Sequence, residues 1–114
     1  ASLIFAVLLI NGEGRIVEAN PAAETLLGTS ARRLIGTLLL DRIAPLDPQV
    51  QARLKDGEAA LVAREVVIAA GEITARVNLT ASPIVSEPGW RVVTLSLLGN
   101  EDSDREAPGE AMLG

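Results

Sequence analysis

The stretch Gly12-Glu-Gly-Arg-Ile-Val-Glu-Ala-Asn-Pro-Ala-Ala-Glu-Thr-Leu-Leu-Gly28 permits few folds, because it runs a strand straight into a helix. Arg15 to Ala19 reads as the strand, and the helix starts abruptly at Asn20-Pro21. Asn20 carries the side-chain oxygen an N-cap needs to accept a free amide of the first turn. Pro21 suits the first helical position, where its missing N–H costs nothing and its fixed φ is already helical. Glu24 lies in the opening turns, where negative charge complements the helix dipole. Gly28 is the natural stop. None of these residues brings catalytic chemistry, and loss of the Asn20 cap alone should cost about 1 kcal/mol.

The flanking sequence says what this unit packs on. Ser2 to Ile10 is a dense apolar run ending at Asn11-Gly12, read as a buried strand over about Phe5–Ile10 that turns into Arg15–Ala19. From Thr29 to Asp56 the signals are helical but broken. Ser30 caps a turn through Leu34 that Gly36 ends, Leu38 to Ile43 is a second short piece, and Asp47-Pro48 opens a helix to about Lys55, stopped by Gly57. Ala60–Ala69 then reads as a strand. Ile73 to Ser82 alternates apolar and polar residues with a period of two, and Trp90 to Leu98 is the last strand after a Ser86–Gly89 turn. The order β-β-α-α-α-α-β-β-β predicts an α+β domain: a five-stranded antiparallel sheet with its short helices on one face.

Composition excludes several chemistries. The chain has 114 residues, enough for one core, and 48% are hydrophobic, but Phe5 and Trp90 are the only aromatics. That leaves little surface for stacking bases or flat cofactors. With no His and no Cys there is no usual zinc site, haem ligand, Ser-His triad or disulfide. We therefore expect no cofactor and no metal. Asp41, Asp47 and Asp56 fit no ligand loop, and Arg32-Arg33 reads as a solvated helix face rather than an anion site.

The charge is uneven. Glu101, Asp102, Asp104, Glu106 and Glu110 face only Arg105, so −4 of the net −5 falls in residues 100–114 and −1 in residues 1–99. Residues 1–99 thus read as the domain and 100–114 as an acidic linker towards a further C-terminal region. Nothing suggests the basic face that nucleic acid would require. Leu3 to Ile10, at eight residues, is too short to cross a membrane.

The ordered set Gly14-Arg-Ile-Val, Asn20-Pro-Ala-Ala-Glu24, Leu27-Gly28 and Leu34-Ile-Gly36, followed by three strands, resembles a PAS domain over residues 3–98. Phe5-Ala-Val-Leu-Leu-Ile10 and the ending Ala111-Met-Leu-Gly114 resemble the sensor module of nitrogen-regulation (NtrB-type) histidine kinases. The resemblance implies a non-catalytic, cytoplasmic sensor and dimerisation module. The parent would be a two-component histidine kinase, its core lying beyond this chain and serving a response regulator under a PII protein. A small-ligand-binding PAS domain of a transcriptional or other signalling protein is the alternative.

Two residue sets follow. An apolar pocket between sheet and helices, if the core is not simply filled, would be lined by Val7, Leu9, Leu26, Leu39, Ile43, Val66 and Val77. Leu3, Ile4, Val93, Leu95 and Leu97 supply more apolar residues than one buried face uses, and are expected on the outer face as a homodimer interface.

Overall fold

A computed structural model describes residues 5–56 and 59–99. It contains β1 (Phe5–Ile10), β2 (Ile16–Ala19), α1 (Pro21–Leu27), α2 (Ala31–Leu34), α3 (Leu39–Arg42), β3 (Ala44–Pro45), α4 (Pro48–Lys55), β4 (Leu61–Ala70), β5 (Ile73–Pro83) and β6 (Arg91–Gly99). The strands form one antiparallel sheet in the order β2-β1-β6-β5-β4-β3. The last strand in sequence is therefore central, hydrogen-bonded to the first on one side and to β5 on the other. Leu3, Ile4 and residues 100–114 lie outside the described residues.

Among the described residues the sheet has six strands, not the expected five. The sixth is the two-residue β3, which pairs Ala44 with Ala69 and Pro45 with Ile68. A piece this short leaves no periodicity in sequence. Its proline, lacking an N–H, is tolerated because the strand is an edge. The β1–β2 turn also differs from a tight Asn-Gly hairpin. Asn11 accepts from the Gly14 amide, Gly14 takes the left-handed conformation at φ 83°, and the register shifts between Leu9 and Ile10. Gly14, not Gly12, is the glycine whose conformation the turn requires.

One face of the sheet is covered by the helices, and the core follows strand parity. Ala6, Leu8 and Ile10 of β1, Val93 and Leu95 of β6, and Ala75, Val77, Leu79 and Ala81 of β5 are buried. They meet Ala23 and Leu26 of α1, Leu34 of α2, Leu39 of α3, Ile43 directly after α3, and Leu54 of α4. In β4 the inward parity changes partway. Leu61 and Ala63 point to the core and so do Val66, Ile68 and Ala70, because Arg64 and Glu65 together oppose Asn78 in a bulge. Glu65 sits at φ 55°, and its amide donates to the Asn78 side-chain oxygen at 2.9 Å.

Two consequences can be measured by urea denaturation. Leu8→Ala removes a fully buried side chain from the centre of this core and should cost about 2–5 kcal/mol. Glu65→Gly should instead stabilise the domain by about 0.5 kcal/mol, because relief of left-handed strain outweighs the entropy glycine adds to the unfolded chain.

Candidate functional site

Three places on this scaffold could carry function: the junction at Asn20, the two faces of the sheet, and a cleft at one end of it. Asn20 is extended (φ −82°, ψ 169°) and caps α1, its Oδ1 accepting from the Ala23 amide at 2.9 Å, with Pro21 at the first helical position. The same oxygen accepts from the Val7 amide at 3.0 Å, and Nδ2 donates to the Phe5 carbonyl at 3.1 Å. The Asn20 backbone N–H donates to the Val7 carbonyl at 3.1 Å. One side chain thus starts the helix and continues the β1 ladder. Glu24 makes the next link: its carboxylate accepts from the Ala31 amide at 2.6 Å, tying α1 to the first turn of α2.

The anticipated apolar pocket is divided by the sheet. Leu26, Leu39, Ile43 and Val77 lie together in the buried core, with Val66 partly buried against it. Val7 and Leu9 are on the opposite face, because Ala6, Leu8 and Ile10 are the β1 residues that turn inward. The expected interface needs the same correction. Val93 and Leu95 are fully buried beneath the helices, and Leu97 packs against that core. The outer face of the central strands is instead formed by Phe5, Val7 and Leu9 of β1, Val92, Thr94 and Ser96 of β6, and Asn78 and Thr80 of β5. Across it Val7 opposes Thr94, Leu9 opposes Val92, and the Thr80 and Thr94 hydroxyls are hydrogen-bonded.

A cleft of about 420 Å³ lies at the end where the turns meet. Backbone bonds run from Gly36 to Ile16, from Ile16 to Thr37 and from Leu39 to Gly14, drawing the start of α3 onto the free edge of β2. The β5–β6 turn closes in from the other side. Gly89 has φ 84°, and a Cβ there would come within 3.2 Å of the Gly12 Cα. Leu38, Leu39, Leu40 and Leu54 make apolar wall, with Glu13, Asp41, Lys55 and Arg91 as charged groups.

Arg91 is the unexpected member. It is 3% exposed, and its Nη1 donates to the carbonyls of Leu54 and Asp56 where α4 ends. Its Nε has no hydrogen-bond partner among the described residues. Burial lowers its pKa from the ordinary value, while the Asp56 charge acts in the opposite direction. The signal for it was parity: Arg91 shares its face with Val93 and Leu95, so a correct inward assignment of those two puts the arginine in the core.

Arg32 and Arg33 are exposed at the end of α2. Asp47 caps α4, Asp41 is exposed on α3, and no cluster of acids among the described residues could hold a metal ion.

Because Asn20 serves strand and helix together, Asn20→Ala should cost about 2–3 kcal/mol in urea denaturation, beyond the 1 kcal/mol of an isolated cap. Asn20→Asp keeps both acceptor roles of Oδ1 but sets a carboxylate oxygen against the Phe5 carbonyl, so less than half that loss should be recovered.

Comparison with known proteins agrees with this architecture. A family model described as PAS fold matches residues 1–97. The sensory histidine kinase/phosphatase NtrB of Rhodobacter capsulatus is 36% identical over a 108-residue alignment that covers 91% of this chain and 30% of that protein. The chain therefore spans less than a third of the length of that relative. Among solved structures, the PAS domain of nitrogen regulation protein NR(II) from Vibrio parahaemolyticus superposes with a TM-score of 0.61 at 22% identity, covering 85% of this chain and 90% of that one. A blue-light activated histidine kinase from Erythrobacter litoralis gives 0.73 at 14% identity, covering 88% of this chain and 35% of the other. The chain belongs to the PAS-fold family and is related to the NtrB-type sensor histidine kinases.

Proposed function

We propose that this domain is the non-catalytic sensory module of a cytoplasmic nitrogen-regulation histidine kinase, and that it works as a homodimer. The observation carrying this reading is the 36% identity to an NtrB kinase along 91% of the chain. The attached kinase core, its response regulator and a PII protein would be the partners of the whole protein.

The position of β6 supports a relay role. It is hydrogen-bonded on both edges within the sheet, and it is the strand that leads into the acidic stretch from residue 100. Any change in packing on either face of β6 therefore acts on the segment joining the domain to an output. The helix-free face of β1 and β6 is the favoured dimer surface. Val7, Leu9 and Val92 are only partly buried there and Phe5 is 48% exposed, so a second copy would remove further apolar area from water. Leu3 and Ile4 immediately precede this face in sequence and remain proposed contributors.

Sedimentation across a concentration series tests the proposal. A reversible dimer is expected, and Val92→Glu should weaken it by about tenfold or more while leaving the monomer folded, since a charge would be desolvated at the contact. A monomer at all concentrations would remove the dimer from the proposal. In the whole kinase, loss of the dimer through Val92→Glu should change autophosphorylation; an unchanged rate would exclude this face as the relay.

A further inference from the structure

We propose that the cleft between the two turns and the ends of α3 and α4 binds a small aliphatic monocarboxylate through Arg91. The argument begins with the arginine. A guanidinium offers five donors in a rigid fork, and burial away from water is costly unless they are used. Here Nη1 is directed to the Leu54 and Asp56 carbonyls, while Nε is buried and unpartnered among the described residues. Capping the end of α4 thus accounts for one corner of the fork and leaves the buried Nε donor unused in a side chain that lines the cleft. A carboxylate is the acceptor whose geometry suits such a fork.

The walls select the rest of the ligand. Leu38, Leu39, Leu40 and Leu54 offer an aliphatic body a dry surface, and the volume, about 420 Å³, is in the range of small-molecule sites. Lys55 adds a second cation, but Glu13 and Asp41 also line the cleft. A phosphate dianion would carry more charge than a single carboxylate against those acids and against Asp56, whose charge already acts on Arg91. The cleft is formed by local turn contacts, so binding requires neither a dimer nor a kinase core. Its failure would leave the relay reading intact, and its success would give that relay an input.

The test is a titration of the 114-residue chain with sodium hexanoate against matched sodium chloride. Two reporters are built in: the Nε–H resonance of Arg91 in nitrogen-proton spectra, and the fluorescence of the single tryptophan, Trp90, which adjoins the cleft-lining Gly89 and Arg91 in sequence. A saturable shift of the Arg91 Nε–H is expected, with 1-hexanol and acetate each binding about tenfold or more weakly, because each lacks one half of the recognised ligand. At 100 times Kd the melting temperature should rise by roughly 10 °C. Leu38→Trp, which fills the cleft from its exposed rim and leaves Arg91 in place, should abolish the shift. Arg91→Lys should weaken binding about tenfold by removing the fork while retaining the charge. No saturable shift with hexanoate, equal binding of 1-hexanol, or binding of inorganic phosphate in preference to hexanoate would each overturn the assignment.

Discussion

The registration of the helices on the sheet depends on one side-chain amide. Asn20 accepts from two amides and donates to one carbonyl, and these three groups belong to β1 and to α1. A strand that ends in a helix must change direction within one residue, leaving both the last rungs of the ladder and the first helical amides without partners. A serine or aspartate could cap the helix, but neither carries an amide donor for the Phe5 carbonyl. Asparagine meets all three demands at once, and the helical layer is thereby registered on the sheet. Glu24 extends the same logic to α2 by accepting from its first amide.

Most of the architecture was legible because it rests on local signals. Asn20-Pro21, Asp47-Pro48 and Gly28 mark helix ends through capping chemistry, and the alternation from Ile73 to Ser82 marks a half-wet strand. Facing was not legible in β1, because Phe5 to Ile10 is apolar at every position and either parity satisfies composition. The same ambiguity reaches β6, where Val92, Thr94 and Ser96, and not the buried Val93 and Leu95, occupy the outer surface. Thr94 and Ser96 did hold the answer. Polar residues at alternate positions identify the wetter face even when apolar ones appear on both. In β4 the alternation fails for a different reason: the Arg64-Glu65 bulge resets the parity, and Glu65 adopts a positive φ that no sequence rule assigns to glutamate. β3 was invisible because its two residues are a strand only through pairing with Ala69 and Ile68.

Arg91 was missed by the habit of treating charge as surface. A single arginine at the head of a strand ordinarily ends a buried face, but here two turns and the end of α4 close over it. Gly89 packs so closely on Gly12 that a Cβ there would require a shift of a few tenths of an ångström, so the two turns meet at the cleft that Arg91 lines. Its hydrogen-bond partners are carbonyls at the negative end of α4, and the Asp56 charge offsets part of the desolvation that depresses its pKa. A carbonyl stabilises a cation less than a carboxylate does. The site is consequently one where an incoming anion would have something to gain.

That asymmetry bears on how a PAS domain of this kind could carry a signal. β6 begins at Arg91 and ends at Gly99, and along its length it meets β1 on one edge and β5 on the other. Its inner face is core and its outer face is the helix-free surface, so one strand joins cleft, core, candidate dimer contact and exit. The pairing with β5 is regular from Arg91 to Leu97 and shifts between Val77 and Arg76, where Leu97 and Gly99 are the successive partners. Rigid pairing transmits a displacement, and a register shift next to the exit is where an alternative arrangement would disturb the fewest ladder bonds. A ligand at the Arg91 end could bias the exit only by as much as its affinity differs between those arrangements, which for allosteric proteins is commonly about 1–3 kcal/mol. One charge-assisted hydrogen bond, made in one arrangement and strained in the other, is of that size. The proposed ligand would therefore act as an input without a large conformational change if Arg91 were differently satisfied in two arrangements of the strand that it begins.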